Sequence, residues 1–564
     1  MGFLDRFKKG GTGPSKDEPA EFSFADPSNC RRVVRAYHQQ TKHGLHRYAA
    51  GPMGLDWDNQ PDPFRTWEGT EVVSLDVIPP TDEPRYGSAF SSGGVPKRGL
   101  SRQAISQLFF DSLSLSAWKQ AGEARWALRV NPSSGNLHPT EGYLLAPPIE
   151  GLCEHAVVAH YAPREHGLEL RAQIPEELWE SLTDGLPPDA FFVALTSIHW
   201  REAWKYGERA FRYCQHDAGH GIAALTVAAG GMGWKVALCD QIGTEDLARL
   251  VGVSEEVGPD AETPECLLLV CPSGERGVLD ASVSASAAQF PALDWRGRPN
   301  DLSHEHEDWD AIDLAARASI RPPGSGPYGE WNRTSRTAAL PLETPSLRHV
   351  VRQRRSAVAL DGKTGISAEA FYGILENVMP RAGRAPFDAL PWSPRLHLAI
   401  FVHRVEGLEP GLYWLQRDAD RQDAIRAACR PEFLWAKPAG CPPDLPLSLL
   451  FPSDLKQAAS QLSCDQAIAG DGAFSLGMIA DFDRSIEEGA WFYPRLFWEA
   501  GAIGQVFYLE AEVLGLRGTG IGCYFDDAVH SILALRDTTL QSLYHFTLGQ
   551  PVDDERLTTQ EPYE

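Results

Sequence analysis

The sequence lacks the features that mark membrane-embedded, secreted or nucleic-acid-binding proteins. No apolar run approaches the ~20 residues that a transmembrane helix needs, and residues 1–11 contain no long apolar core of a signal peptide. The formal net charge of −24 argues against a nucleic-acid partner, because binding a phosphate backbone needs a basic surface. We therefore expect a cytoplasmic protein that binds neither membranes nor nucleic acid.

The sequence also lacks the cysteine and histidine spacings of metal sites and disulfide frameworks. Its ten cysteines are scattered and form no CxxC motif, which favours free thiols in a reducing compartment. His304-Glu305-His306, and the pair His216 and His220, have no further ligands at useful spacing. We predict no metal site.

What is present is an ordinary globular composition and an internal repeat. The 564 residues, 43% hydrophobic, suggest two to four domains. Residues 217–220 (Asp-Ala-Gly-His) and 499–502 (Glu-Ala-Gly-Ala) lie 282 positions apart, and each opens a helical pattern that ends in a glycine, Gly233 or Gly515. Both helical patterns lead into an apolar strand. Two copies of one α+β unit are the natural interpretation.

The repeat predicts the domain organisation. We assign residues 1–22 to a disordered tail, 23–284 to domain 1, 285–340 to an extended linker rich in Ser, Pro, Gly and acids, and 341–564 to domain 2. A long linker allows the copies to fold back as an intramolecular pseudo-dimer. Small residues in both repeated helices would let the helix backbones approach closely, unless those helices pack only within their own copy.

Three short motifs could bind a ligand. The turn containing Pro132, Ser133, Ser134 and Asn136 offers hydroxyl, amide and backbone groups to a heteroaromatic ring, although its composition alone favours an ordinary surface turn. The cluster Arg354-Arg355-Ser356, just before a helix begun near Ser367, could hold a phosphate, or it could be a solvated face. The loop around Gly520-Ile521-Gly522 would let its backbone approach a flat ligand, but its spacing does not match a dinucleotide fingerprint.

In this order the motifs resemble the nitroreductase family of flavoproteins, in its SagB/ThcOx-type branch of azoline dehydrogenases. The resemblance covers most of both halves. Pro132, Ser133, Ser134 and Asn136 match the family's Pro-Ser-Ser-x-Asn turn, and Arg354, Arg355 and Ser356 match its Arg-x-Ser start. Its Glu-Ala-Gly helix is matched by Glu499, Ala500 and Gly501, and its Gly-Ile-Gly loop by Gly520, Ile521 and Gly522.

The resemblance implies an FMN bound between the two copies. Arg354, Arg355 and Ser356 would hold its phosphate, and the glycine segment and the Pro-Ser-Ser turn would contact its ring. Arg556 would be the late basic residue that many members add to the phosphate site. One departure is Val358, which stands where the family has a further basic residue.

The resemblance also implies the catalytic groups. The branch is distinguished by a Lys-Tyr pair, matched by Lys205 and Tyr206. Dehydrogenation of a C–N ring needs a base for the carbon-bound proton, and a lysine of lowered pKa or a tyrosinate could be that base. We assign Lys205 as the proton acceptor and Tyr206 as its orienting partner. The alternative is a charged helix turn with a packed aromatic.

A second FMN site is not expected. The positions 282 residues after the Lys-Tyr pair are Glu487 and Glu488, and the segment equivalent to Gly518–Gly522 is Val236–Asp240, which contains no glycine. We therefore predict a single site in a tandem nitroreductase-like α+β fold.

The resemblance favours an FMN-dependent oxidoreductase that oxidises azoline or similar rings in a peptide-derived substrate. One alternative is an NAD(P)H-dependent reductase of nitro compounds, quinones or flavins. Another is a flavin-free scaffold protein of a peptide-modifying complex. Association of pseudo-dimers into a larger homo-oligomer stays open.

Overall fold

The computed structural model of the protein describes residues 22–90, 93–274, 283–324 and 344–563. Residues 1–21 of the predicted tail, and residues 325–340 of the predicted linker, lie outside the described residues. We call residues 22–324 the first half and residues 344–563 the second half.

The first half contains nine described helices and eleven strands. The helices are α1 (Pro27–Gln40), α2 (Tyr86–Ala89), α3 (Arg102–Phe110), α4 (Glu176–Leu182), α5 (His199–Tyr206), α6 (Ala210–Gly230), α7 (Thr244–Val251), α8 (Val283–Ala287) and α9 (Asp310–Ala318). The strands are β1 (Trp67–Glu68), β2 (Glu71–Ser74), β3 (Leu115–Ala121), β4 (Ala124–Arg129), β5 (Thr140–Ala146), β6 (Ala156–Ala162), β7 (Gly167–Ile174), β8 (Phe191–Ile198), β9 (Lys235–Leu238), β10 (Glu262–Cys271) and β11 (Arg298–Pro299).

The second half contains eight described helices and nine strands. The helices are α10 (Leu347–Gln353), α11 (Ala368–Asn377), α12 (Gln422–Ala428), α13 (Lys456–Leu462), α14 (Ile468–Asp471), α15 (Phe482–Glu488), α16 (Phe492–Val513) and α17 (Asp526–Leu533). The strands are β12 (Ile366–Ser367), β13 (Leu396–Val402), β14 (Val405–Glu406), β15 (Gly411–Leu415), β16 (Leu447–Pro452), β17 (Phe474–Asp481), β18 (Arg517–Ile521), β19 (Leu540–Gly549) and β20 (Thr558–Gln560).

The main sheets of the two halves have the same topology. The first half orders its strands β2-β7-β6-β5-β8-β10-β9, and the second half orders them β16-β15-β13-β17-β19-β18. Neighbouring strands pair antiparallel in both sheets. Apart from β2, each strand of the first sheet therefore has a counterpart in the second, which confirms the predicted duplication.

Local sequence signals explain several of these elements. Strands β5, β6, β8, β13 and β17 are buried along their whole length, because helices cover both faces of the sheets, and such strands read as continuous apolar runs. The predicted N-cap Ser367 accepts a hydrogen bond from the Ala370 N–H at 3.1 Å and starts α11. Its apolar side chains Phe371, Ile374 and Leu375 are buried.

The two longest helices, α6 and α16, pack against each other across the two halves. Their starts, Ala210 and Phe492, keep the 282-residue offset. A Cβ atom on Gly501 would overlap the His216 carbonyl oxygen and lie 2.9 Å from the Cα of Gly219, while one on Gly219 would overlap the Trp498 carbonyl oxygen. The small residues therefore serve the contact between copies, and the predicted pseudo-dimer is the structure observed.

Buried ion pairs also join the halves. Asp526 of the second half forms ion pairs with two arginines of the first half. Nη1 of Arg212, on α6, lies 2.9 Å from its carboxylate, and Nη1 of Arg209, in the turn before α6, lies 3.2 Å from it. All three side chains are buried. Breaking such a network would leave an uncompensated buried charge, which is strongly destabilising.

The predicted linker needs a correction. Its described part is folded: β11 pairs with β1, and α9 packs against α1. The acid-rich composition concealed an amphipathic helix whose inner face includes Ile312 and Leu314. At the other end of the chain, β20 pairs with β3 of the first half. The end of the second half thus adds a strand to the first half, and the predicted domain boundaries describe the repeat rather than two separable bodies.

Among the described residues, no helix combines the length and apolarity that crossing a membrane requires.

The close helix contact generates a stability prediction. Gly501→Ala should lower the free energy of unfolding by about 3 kcal/mol, because the new methyl group meets backbone atoms that cannot turn aside. Gly373→Ala is the matched control, since no atom lies within 4 Å of the place that a methyl group on this exposed helix glycine would take, and it should gain about 0.5–1 kcal/mol. Unfolding in denaturant, followed by circular dichroism, measures both. Equal effects of the two substitutions would contradict the close packing.

Candidate functional site

A cavity of about 710 Å³ lies between the two halves. Side chains and backbone of both halves line it, and it brings together most of the predicted site residues. The first half contributes Pro132, Ser133, Ser134, Asn136 and Tyr206, and the second half contributes Arg354, Arg355, Ser356, Gly520, Ile521 and Gly522. Lys205 and Arg556 are not among the lining residues.

The Pro-Ser-Ser turn is held by a carboxylate of α6. The Ser134 N–H donates to both oxygens of Asp217 at 3.1 Å, and the Ser134 hydroxyl donates at 3.0 Å. The Asn136 amide is used inside the turn, where it donates to the Ala127 carbonyl at 2.8 Å. The segment is therefore a fixed wall of the cavity rather than a surface turn.

The glycine segment predicted as a loop is instead mostly the edge strand β18. Its glycines are required by two tyrosines that cross it: a Cβ on Gly520 would overlap the Tyr544 hydroxyl, and one on Gly522 would overlap the ring of Tyr213. The loop prediction was wrong because these glycines lie in a strand, where they allow neighbouring side chains to approach the backbone closely.

Arg354 connects the two walls of the cavity. Its buried guanidinium donates from Nε to the Val130 carbonyl at 3.1 Å and from Nη2 to the Arg129 carbonyl at 3.0 Å. The Ser356 hydroxyl lies 2.9 Å from the Tyr508 hydroxyl, which also accepts from the Gly520 N–H at 2.9 Å. These bonds set the turn of the first half opposite the strand of the second.

The cavity carries more positive charge than the sequence motifs indicated. Arg517 and Lys119 line it beside Arg355, and Arg517 is ion-paired at 3.2 Å with Asp553, which also lines the cavity. Burial, together with the neighbouring Arg354 and Arg352, lowers the pKa of the Arg355 guanidinium to about 9. Burial and the nearby Arg355 and Arg517 also lower the pKa of Lys119. An anion bound here would relieve this crowding of like charges.

The two extra cations were missed for different reasons. Arg517 directly precedes the glycine segment, so its place next to that motif was a usable signal. Lys119 comes from β3, far away in sequence, and only tertiary structure brings it in. Val358, which stands where the resemblance implies a further basic residue, is 78% exposed.

Arg556 is placed away from the cavity wall. Its side chain is 86% exposed and pairs with Asp554 at 2.7 Å. The described structure therefore brings Asp554, but not Arg556, to the cavity.

The predicted catalytic pair is split by the structure. Tyr206 ends α5, lines the cavity and packs its ring 4.5 Å from that of Tyr213. Burial, with Glu202 nearby, raises the pKa of Tyr206 well above its usual value, so it is a neutral phenol rather than a tyrosinate. The half-buried Lys205 places Nζ 5.4 Å from the Tyr206 ring centroid, outside the cavity lining.

Asp217 is an acidic group of the cavity that the motifs did not single out as functional. Burial raises its pKa to about 7, although hydrogen bonds from Ser133 and Ser134 work against that rise. A carboxyl group that titrates near neutrality can accept or donate a proton at little cost.

The equivalent position in the other copy retains a smaller cavity of about 290 Å³, whose lining includes Leu238, Trp491 and Arg495. Leu238 and Asp240 stand where the second half has Gly520 and Gly522. The Asp240 carboxylate forms ion pairs with Nη2 of Arg321 at 2.9 Å and with Nη2 of Arg495 at 3.4 Å. Arg495 occupies the position equivalent to Tyr213, with its guanidinium 4.7 Å from the ring centroid of Trp491. Ion pairs and tryptophan rings line this region.

Among the described residues, no group of His, Cys, Asp and Glu is arranged to hold a metal ion.

The raised pKa of Asp217 generates a prediction. In the folded chain its carboxyl stays protonated up to about pH 7, whereas in the unfolded chain it ionises near pH 4. Its contribution to stability is therefore present below about pH 4 and is lost as the pH rises to about 7. Asp217→Asn should become more stable relative to wild type over this range, by at most about 4 kcal/mol.

Denaturant unfolding at pH 5, 6, 7 and 8 measures this difference. Asp423→Asn is the control, because the side chain of Asp423 on α12 is exposed, and its curve should follow that of wild type. Parallel curves for Asp217→Asn and wild type would place the pKa of Asp217 in its ordinary range.

Comparison with known proteins establishes the fold. No protein-family model matches the sequence, and no curated protein matches it. Among solved structures, a nitroreductase-like protein from Anabaena variabilis is 20% identical with a TM-score of 0.66, and the match covers 92% of this chain and 99% of that one.

Two further matches are partial. The Escherichia coli microcin synthetase McbBCD complex, with truncated pro-MccB17 bound, contains a chain 19% identical over 45% of this protein and 98% of that chain, with a TM-score of 0.26. The NADPH:FMN oxidoreductase of Vibrio harveyi is 14% identical over 36% of this protein and 68% of that chain, with a TM-score of 0.21. The near-complete match and the repeated sheet order show that this chain has a tandem nitroreductase-like α+β fold, arranged as an intramolecular pseudo-dimer.

Proposed function

We propose that the cavity binds one FMN per chain and that the protein is an FMN-dependent oxidoreductase. The observation that carries this proposal is the convergence, around one cavity, of the Pro-Ser-Ser turn, the glycine strand and a cluster of cations drawn from both halves. A flavin mononucleotide has a flat ring and an anionic phosphate, and the cavity offers a surface suited to each.

The fit can be examined residue by residue. A volume of about 710 Å³ is within the range of cofactor sites, roughly 300–1,000 Å³. Arg355, Arg517 and Lys119 would hold the phosphate through charge-assisted hydrogen bonds, with Ser356 beside them. The glycine strand and the turn at Ser133–Asn136 would face the ring. Arg354 would contribute to the site by holding these two walls together.

We further propose a dehydrogenase of the SagB/ThcOx type, acting on azoline or similar rings in a peptide-derived substrate. A bound FMN would supply the hydride-acceptor chemistry that the oxidation of such a ring needs. The support is the Lys205-Tyr206 pair beside the cavity and the absence of an equivalent pair at residues 487 and 488. A protein of this kind would work in the cytoplasm on a peptide or small-molecule substrate.

The chain's own groups would handle the proton. Tyr206, a neutral phenol without a hydrogen-bond partner among the described residues, can donate its hydroxyl hydrogen to a substrate and orient it. Lys205 would accept the proton by rotating its long side chain past the Tyr206 ring into the cavity. Asp217 lies in the cavity wall already, with a pKa near neutrality, and is the rival proton acceptor.

The flavin site can be tested by affinity. Arg517→Gln should weaken FMN binding about 10- to 100-fold, because one charge-assisted hydrogen bond contributes about 1.5–3 kcal/mol. Arg517 is a suitable choice because its side chain is 33% exposed, so its replacement should leave the fold intact. Fluorescence titration of FMN with the purified protein gives the dissociation constants, and the absorption spectrum gives the flavin count per chain.

Arg556→Gln is the matched control, and it also tests the motif-based assignment of Arg556 to the phosphate. Given its exposed position beside Asp554, we expect wild-type affinity. An affinity loss in Arg556→Gln without one in Arg517→Gln would reverse our assignment. Failure of the wild-type protein to bind FMN would favour the flavin-free scaffold.

The proton acceptor can be tested separately. Lys205→Ala should retain bound flavin and lose turnover about 10²- to 10⁴-fold, the usual contribution of a general base. The assay follows the loss of two hydrogen atoms, by mass spectrometry, from a peptide that contains a thiazoline or oxazoline ring. Lys456→Ala, at the start of α13, should keep wild-type activity. Full activity of Lys205→Ala would assign the role of proton acceptor to Asp217. Rapid reduction of the flavin by NAD(P)H without ring oxidation would favour the alternative function as an NAD(P)H-dependent reductase.

A further inference from the structure

Two cysteines meet in the wall of the same cavity. The Sγ atoms of Cys464 and Cys523 lie 2.8 Å apart, and Cys523 lines the cavity directly after Gly522. All ten cysteines lie in described ranges, and this is the pair whose sulfur atoms are in contact. A disulfide bond of about 2.05 Å is within reach of small side-chain movements.

The backbone on both sides of the pair is held in place. The Arg209 guanidinium donates to the Gly522 carbonyl at 3.0 Å, and the Gln466 amide donates to the Cys523 carbonyl at 3.0 Å. Cys464 lies between α13 and α14 with φ of +54°, an uncommon conformation for a residue other than glycine. This turn carries the Cys464 side chain towards β18 and its continuation.

The surroundings favour a thiolate at Cys523. Contact with the Cys464 sulfur, together with His43 and Arg209, lowers the pKa of the Cys523 thiol despite its burial. Nδ1 of His43 accepts the Ala49 N–H at 3.0 Å, which assigns the ring hydrogen to Nε2 and leaves it available to the sulfur. Asp526 and Asp465 also lie nearby, but Asp526 is neutralised by Arg209 and Arg212.

We propose that Cys464 and Cys523 form a redox-active dithiol–disulfide pair that takes low-molecular-weight disulfides as its oxidant. The Cys523 thiolate attacks one sulfur of the oxidant, which forms a mixed disulfide and releases one thiolate. Cys464 then loses its proton and attacks the Cys523 sulfur, which closes the intramolecular disulfide and releases the second thiolate. The dithiol gives up two electrons and two protons, and the oxidant becomes two thiols.

The pair would place a two-electron couple beside the cavity. In the reduced state a nucleophilic sulfur follows the glycine segment, and in the oxidised state that sulfur is neutral and unreactive. Because neither step involves a flavin, this inference stands independently of the proposed function.

The test uses the purified full-length chain with glutathione disulfide as the probe. After incubation, free thiols are alkylated and the digested protein is mapped by mass spectrometry. We expect a Cys464–Cys523 cross-linked peptide, the loss of two alkylated thiols, and reversal by dithiothreitol. Alkylation of both cysteines after prolonged incubation, or a glutathione adduct persisting on Cys523 of the wild type, would overturn the proposal.

Single substitutions separate the two roles. Cys464→Ser should trap the mixed disulfide of glutathione on Cys523, whereas Cys523→Ser should lose rapid adduct formation. Cys153→Ser is the matched control, because Cys153 is also partly buried but donates to the Pro147 carbonyl at 3.5 Å instead of contacting a thiol. It should form the cross-link as the wild type does. In the reduced wild type, Cys523 should react with iodoacetamide at least about 10-fold faster than Cys153, because the thiolate is the reactive form; equal rates would contradict the assigned nucleophile.

Discussion

The contact between Gly219 and Gly501 is the constraint on which the rest of the structure depends. Because both positions lack a side chain, α6 and α16 approach to backbone contact, and residues two positions earlier on each helix reach the loop before the central strand of their own sheet. Asp217 holds the turn before β5, and Glu499 accepts the Arg395 N–H before β13 at 3.0 Å. One helix crossing thereby positions both loops.

The two copies use this shared arrangement differently. Glu499 is paired with the buried Arg417, so its charge is compensated and its loop is purely structural. Within the described residues Asp217 is paired with no such cation, and burial raises its pKa towards neutrality. On the facing strands, glycines leave room for tyrosine rings in the second half, while Leu238 and Asp240 stand at the equivalent positions of the first. The cavity beside the glycines has a volume of about 710 Å³, whereas the equivalent one has about 290 Å³.

The sequence allowed much of this arrangement to be predicted, because the signals were local or periodic. The 282-residue offset located both long helices, and the apolar strand expected after each of them is β10 or β19. The helix at 310–318 was hidden by the acidic composition around it, although its apolar positions have helical spacing. Lys119 could not be found from local patterns, because a strand distant in sequence brings its charge to the cavity. Arg556 failed to reach the cavity for the converse reason: Asp554, two residues away, satisfies it locally.

Arg354 shows why binding and assembly cannot be separated in such a cavity. Two of its donors are already used by the carbonyl groups of Arg129 and Val130, at the edge of the Pro-Ser-Ser turn. Arg354, whose motif suggests that it binds a phosphate, therefore also links the two halves through hydrogen bonds. A ligand that contacts both walls binds only the docked arrangement, and anything that binds one state stabilises that state by mass action. Ligand affinity and pseudo-dimer stability should consequently rise and fall together, with Arg354 contributing to both.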